Sequence, residues 1–189
     1  ASASSGGLVA AGFAKAAATS DTTLNAGLGS SVNLNSGSLS AHAIGTDDNF
    51  ATTTAGSGGV IAGAASSTRT DSVSDTSVDI GSGSHIVVDQ LELTAQHSAV
   101  FDGTTDSTTA AVVGASGANV ENTTDSTVDV AIADGVTAQA KNIDIVARNV
   151  VSKNEGWEHG MNVSAASGGL AGGPAASSAT EITNKTLIR

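Results

Sequence analysis

The 189-residue chain contains no cysteine, no tyrosine, one proline and one tryptophan. The absence of cysteine excludes disulfide bonds and thiolate metal sites. Aromatic residues make up only 2% of the chain, so large apolar side chains are few. A globular core built from so few large side chains would bury little apolar area per residue. The composition therefore favours a narrow core lined by small and β-branched side chains.

Positive charge is also scarce, with 7 Lys and Arg against 18 Asp and Glu and a formal net charge of -11. This balance disfavours nucleic acid and anionic lipid as partners, because both require basic residues. No apolar run approaches the roughly 20 residues of a membrane-spanning helix, so no membrane span is expected. The sequence begins without Met or a signal peptide, and we expect a fragment of a longer repetitive protein.

A repeat of about fifty residues runs through the chain. Residues 21–25 (DTTLN) recur as 75–79 (DTSVD) and 125–129 (DSTVD), with a weaker copy at 184–188 (NKTLI). A period in this range is typical of stacked arrays, in which each unit buries its apolar face against its neighbours. The repetition predicts one elongated domain over residues 1–189.

The third segment of each repeat has the clearest strand pattern, with apolar residues spaced by 2, 3, 2 and 2. These residues are Val32, Leu34, Gly37, Leu39 and Ala41, then Ile86, Val88, Leu91, Leu93 and Ala95, then Ala138, Ala140, Ile143, Ile145 and Ala147. A spacing of two indicates a strand with one buried face, and the break of three indicates a corner. Strands joined by corners predict an all-β parallel β-helix. A coil with three short sides needs about 20–26 residues, which predicts about two coils per roughly 52-residue repeat and about seven coils in all.

The order of these segments resembles a known family. Residues 5–10 (SGGLVA), followed by the Asp/Thr/Val segment and then by VNL at 32–34 or LELTA at 91–95, resemble the repeats of large bacterial filamentous adhesins. These include filamentous-haemagglutinin-like proteins and leukotoxin-family filamentous adhesins, and the resemblance covers nearly the whole chain. It implies a right-handed parallel β-helix (solenoid) shaft, an extracellular or bacterial cell-surface location, and a role in adhesion or matrix. The expected partners are more repeats of the same protein stacked at both ends.

Three of the four aromatic residues follow the same part of successive repeats. Phe50, Phe101 and Trp157 are predicted to lie along one side of the body, at corners. An exposed row of aromatic rings would be a contact for a glycan or a neighbouring filament. The alternative, which the pattern favours, is that each ring folds over a corner and covers the open side of the coil.

Acidic residues give the remaining site hypotheses. Asp21, Asp75 and Asp125 form a row that suggests either calcium ligands or turn caps, and Asn184 in the fourth copy favours caps. No cofactor and no metal site are predicted, although the pairs Asp47-Asp48 and Asp102/Asp106 could bind calcium weakly.

The sequence predicts a non-enzymatic shaft segment. Carboxylate pairs in a β-helix also suggest a polysaccharide-cleaving site, which needs Arg, Lys or a metal converging on the same face. The basic residues do not recur beside acidic ones at one repeat position. The alternative function is therefore a β-helical carbohydrate-binding or carbohydrate-cleaving protein. An ice-binding solenoid would need Thr-x-Thr at one phase of every coil, and this pattern is absent.

Overall fold

The computed structural model describes residues 1–154 and 163–189. Within these ranges every regular element is a β-strand, and no helix is long and apolar enough to cross a membrane. The strands are β1 (Ser2–Leu28), β2 (Asn33–Asn35), β3 (Ser38–Ile80), β4 (His85–Ile132), β5 (Thr137–Lys153), β6 (Val163–Gly168) and β7 (Pro174–Ile188). The prediction of an all-β fold is confirmed.

All strand pairs are parallel, and within each pair the residues are related by a fixed step. Each residue of β1 except Leu8 pairs with the residue 52 positions later in β3, as Ser2 does with Thr54. The same step joins β2 and β3 to β4, and β4 to β5. From β4 to β6 and β7 the step is 58 residues. The hydrogen-bonded neighbour of a residue is therefore its equivalent in the next repeat.

Each repeat forms one layer, so the prediction of two coils per repeat is wrong. Two coils would pair residues about 26 positions apart, whereas the observed pairs are 52 apart. The prediction failed because it assumed strands of about five residues. β3 contains 43 residues and β4 contains 48, and both bend at a corner without interruption of the strand. We number the layers 8–57, 60–109, 112–153 with 163–168 and, from residue 170, an incomplete fourth.

Within a layer the chain runs out along one side and back along the other. Side A comprises residues 8–28, 60–80, 112–132 and 170–188, and side B comprises residues 33–57, 85–109, 137–153 and 163–168. The two sides face each other, since Thr22 Oγ1 on side A donates a hydrogen bond to Asp47 Oδ1 on side B at 2.8 Å. In the third layer Asn149 Nδ2 donates to Ser126 O across the same interior at 2.9 Å.

The turn from side A to side B is the same in three layers. Ser31, Gly83 and Gly135 occupy equivalent positions with φ of 58°, 68° and 76°, the left-handed conformation in which glycine has no steric cost. Ser84 Oγ lies 2.8 Å from Gly81 O and 3.1 Å from Gly29 O. This hydroxyl therefore links the turns of two successive layers.

The apolar core lies beside this turn. Its buried members include Val78, Ile80, Ile86, Leu91, Leu93, Val128 and Val130. The predicted core residues of the second layer, Ile86, Val88, Leu91 and Leu93, are all buried, as expected. The predicted stacking was displaced by two residues at the first step, since Leu34 pairs with Ile86 and not with Val88. A shift of two keeps each side chain on the same face, so the inward face of the second layer was predicted correctly. Ile143 of the third layer, in register with Leu91, is nevertheless 57% exposed.

Candidate functional site

The predicted row of aromatic residues does not form. Phe101 pairs with Asn49, and Phe50 pairs with Asp102, so the two rings are one position out of register. Consecutive strand residues point to opposite faces. Phe101 is consequently 1% exposed in the interior, whereas Phe50 is 51% exposed. The prediction that these two rings share one side is wrong, and of the two only Phe50 is available for contact with a glycan or filament.

Trp157, the third member of the predicted row, lies outside the described residues. Its proposed contact with a glycan or a neighbouring filament stays a prediction.

The predicted acidic row is not a row either. Asp21 and Asp125 both lie in register with Val73, whereas Asp75 lies two positions further along. All three lie inside strands, so the prediction that they cap turns is wrong.

The two acidic pairs differ in their surroundings. Asp47 points inward and Asp48 outward, so their carboxylates do not converge. Asp102 is nearly buried, and this burial raises its pKa, although the Lys153 charge and hydrogen bonds from Thr104 and Gly103 act in the opposite direction. Across residues 1–154 and 163–189 there is no group of three or more metal-ligating side chains. Weak calcium binding stays a prediction.

A buried polar cluster around His97 was missed by the sequence reasoning. The His97 side chain is completely buried, and its Nε2 lies 3.3 Å from Asp47 Oδ2 without forming a hydrogen bond. Its Nδ1 lies 3.3 Å from Ser74 Oγ and 3.1 Å from Ser126 Oγ. The imidazole therefore contacts side A of two layers while it faces a carboxylate in the first.

The cluster extends through three layers. Asp47 accepts hydrogen bonds from Thr22 at 2.8 Å and from Ser72 at 3.4 Å. At the other end Ser126 Oγ donates to Asn149 Oδ1 at 2.9 Å. We call these residues the His97 cluster: Thr22, Asp47, Ser72, Ser74, His97, Ser126 and Asn149. A buried carboxylate is stable only with such partners.

Gly45 makes room for the imidazole ring. Gly45, His97 and Asn149 occupy the same register position in successive layers. A Cβ atom at Gly45 would lie 3.0 Å from His97 Cδ2 and 3.1 Å from Leu24 Cδ1. In the sequence, these Gly, His and Asn residues are spaced 52 positions apart. This spacing can be recognised as a shared register position only once the 52-residue step is known.

The His97 cluster has the composition of a serine nucleophile with its base and carboxylate. Ser74 and Ser126 are 3% and 0% exposed, between sides A and B. A nucleophilic oxygen must reach the reacting carbon of its substrate, and these two oxygens face the packed interior. The arrangement suits a structural role that joins the two sides and holds three layers in register.

A second buried network lies closer to the corner. Thr53 Oγ1 is 2.7 Å from Thr68 Oγ1 and 2.6 Å from Thr105 Oγ1. Thr105 Oγ1 donates to Ser66 Oγ at 2.7 Å. These hydroxyls satisfy one another between sides A and B of neighbouring layers, so the interior is polar here without being charged.

At the corner from side B to side A, each layer presents large apolar side chains to solvent. We call this surface the apolar edge: Leu8, Val9, Val60, Ile61, Val112, Val113 and Leu170. The layers approach closely just before it, since a Cβ atom at Gly59 would lie 2.1 Å from Gly7 O. The tight corner turns two consecutive side chains outward instead of one.

Comparison of the chain with protein-family models, with curated proteins and with solved structures found no match. The roles assigned below to the buried clusters, the strand edges and the apolar edge rest on their geometry and chemistry.

Proposed function

We propose that the chain is a non-enzymatic segment of a structural shaft, a right-handed β-solenoid with one flattened coil per 52 residues. The parent would be a filamentous adhesin or matrix protein at a bacterial cell surface or outside the cell. The constant parallel register carries this proposal. Each layer presents to the next the same hydrogen-bonding edge, so the body can lengthen by whole layers without any change of cross-section.

The apolar core at the first layer supports the addition of further layers. Leu28 and Leu39 there are only partly buried, although they pack against the core. A cavity of about 270 Å³ lies between sides A and B at this level, lined in part by Ile80 and Leu93. A preceding layer would cover these side chains. More repeats of the same protein, stacked at both ends, are accordingly the expected partners.

The mechanism of such a shaft is mechanical. Both sides of a layer hydrogen-bond to the next layer along the axis, so an axial load is shared by all bonds of a layer at once. The His97 cluster and the threonine network resist sliding of one layer on another, since a shift would leave buried polar groups unpaired.

Electron microscopy of the full 189-residue chain at rising concentration tests this function. We expect rods that lengthen with concentration and an axial repeat of about 4.8 Å in aligned samples. A chain that stays monomeric at the highest attainable concentration, or an antiparallel strand arrangement, would overturn the proposal.

Two neighbouring proline substitutions in β7 provide a matched pair for this experiment. Successive N–H groups of a strand point alternately to its two neighbours. Of Ala175→Pro and Ala176→Pro, one therefore removes a hydrogen bond to β4 and destabilises the fold. The other removes an N–H that points away from β4, and should shorten the rods while the melting temperature is retained.

A further inference from the structure

The apolar edge is exposed in the inner layers as well as at the ends. Val60 and Ile61 are 46% and 53% exposed, and Val112 and Val113 are 45% and 47% exposed. All four have a layer on each side. Stacking of further layers therefore leaves these side chains in solvent, and a longer body would extend the same apolar strip along its whole length.

The surroundings of the apolar edge carry no charge. Residues 6–14, 58–66, 110–118 and 168–176 form the edge and the beginning of side A, and none of them is Asp, Glu, Lys, Arg or His. The charged side chains, with their net charge of -11, lie elsewhere on the body. Two copies repel each other across most of their surface, and this strip is where they can approach without bringing carboxylates together.

The spacing of the strip selects its partner. Its side chains repeat at the separation of hydrogen-bonded strands, about 4.8 Å. A row of Val, Ile and Leu with this spacing can interlock over many layers only with a row of equal spacing. A second copy of the same chain provides such a row, uncharged and apolar like the first.

The available area predicts weak pairing of the 189-residue chain. Seven side chains at roughly 100 Å² each, half to nine tenths exposed, offer on the order of 500 Å² of apolar surface. A stable interface buries about 800 Å² on each partner. Phe13, 64% exposed on the adjoining part of side A, adds to the strip. Each further layer of a longer shaft would enlarge the contact, so pairing should strengthen with length.

We propose that the apolar edge is a lateral docking surface for the apolar edge of a second copy, so that shafts associate side by side. The inference adds side-by-side association to the proposed shaft function. It depends on that function only because it requires the layered fold. It adds the apolar edge to Phe50 and Trp157 as a proposed place of contact between neighbouring filaments.

Sedimentation equilibrium of the full chain tests the docking surface. The variant Val60→Thr/Ile61→Thr/Val112→Thr/Val113→Thr keeps β-branched side chains and adds hydroxyl groups to the strip. Its control, Ile44→Thr/Val73→Thr/Val150→Thr, changes three exposed apolar residues on the outward faces elsewhere. We expect the edge variant to weaken dimerisation at least tenfold and the control to leave it within twofold. Equal dimerisation of the edge variant and the wild-type chain, at equal melting temperature, would overturn the proposal.

Cysteine cross-linking keeps the test independent of the end-to-end stacking of shafts. The natural chain has no cysteine, so Ile61→Cys and Val113→Cys each introduce a single thiol. Both positions belong to inner layers, which end-to-end stacking does not bring together. If the two copies are parallel, we expect oxidation to form a disulfide between residue 61 of one copy and residue 61 of the other. If they are antiparallel, we expect a mixture of the two variants to form a disulfide between residue 61 of one and residue 113 of the other. A rate no higher than that of Val73→Cys would overturn lateral docking, even if rods still form end to end.

Discussion

Asp47 is the acceptor on which the His97 cluster depends. We expect Asp47→Ala to lower the free energy of unfolding by about 1–3 kcal/mol, because the buried hydroxyls of Thr22 and Ser72 lose their acceptor. The neighbouring Asp48→Ala, on the outward face, should change it by less than about 0.5 kcal/mol. Urea titration of both variants measures the difference. A similar small effect of both substitutions would show that His97 does not need its carboxylate partner.

Asp102 gives the fold a pH dependence at the residue scale. Burial raises the pKa of this carboxyl group above its ordinary value of 3.8, although the Lys153 charge lowers it in part. The folded chain therefore holds this proton more tightly than the unfolded chain, and the resulting stability is lost as the pH rises from about 4 through the folded pKa.

The variant Asp102→Asn removes this titration. Its stability relative to the wild-type chain should accordingly grow as the pH rises from 3.5 to 7, and urea titrations at several pH values measure that difference. The acid end of the series is the internal control, since both side chains are neutral there. A difference that stays constant with pH would contradict the role of Asp102.

At the scale of the strands, the sequence predicted the inward face of the alternating apolar segments but not the register. Aligning the DTTLN motifs gave steps of 54 and 50 residues, whereas every pair up to Lys153 is 52 apart. The motif gave the wrong register because its side chains alternate between inward and outward in the same way after a shift of two residues. Its Asp side chain points outward, where a shift costs little free energy. Phe50 and Phe101 are 51 residues apart, one fewer than the 52-residue step, so their side chains lie on opposite faces.

The two buried clusters could not be predicted for a related reason. Thr22 and Asp47 meet only because side A turns back as side B after a stretch whose length is set by the long strands. The sequence offered Ser and Thr at nearly every repeat position, so none of them stood out. Their partners became apparent only when both the 52-residue step and the opposing sides were known.

The threonine network joins strands of neighbouring layers and predicts coupling between them. We expect Thr53→Val to lower the free energy of unfolding by about 1–3 kcal/mol, since Thr68 and Thr105 lose a buried hydrogen-bond partner. The double variant Thr53→Val/Thr105→Val should lose clearly less free energy of unfolding than the sum of the two single variants. Two hydroxyls that bond each other leave fewer unpaired groups when both are removed than when each is removed alone. Thermal unfolding of the three variants, with the exposed Thr52→Val as control, measures this coupling. Strict additivity would show that the two hydroxyls act separately.

At the scale of the whole molecule, the scarcity of aromatic residues follows from the shape of the layer. Leu, Ile and Val fill the interior beside the turn, Ser and Thr fill its middle, and Ala64 and Ala14 lie in the narrow part near the corner. An interior between two closely spaced sheets has little space for rings, and Phe101 is the one fully buried aromatic side chain among the described residues. Composition alone therefore predicted the narrow core, but not its two-sided form.

Amide hydrogen exchange distinguishes end-to-end stacking of the whole molecule from lateral docking. Strands of the second layer, at residues 60–80 and 85–101, have a layer on each side, so their amides should exchange slowly. β7 pairs on one side with β4, and within the described chain its other side has no neighbour. At low concentration we therefore expect alternate amides of β7 to exchange rapidly, with a period of two residues.

Raising the concentration should then slow the rapid half of the β7 amides if copies stack end to end. Lateral docking through the apolar edge leaves those amides free, because it covers side chains at the corner and not the strand edge. The edge variant with four threonines should show the same concentration dependence in β7 as the wild-type chain, although its lateral dimer is lost. Uniformly slow exchange in β7 of a dilute monomer would contradict the one-sided pairing, since half of its N–H groups would then need an acceptor that the layered fold does not provide.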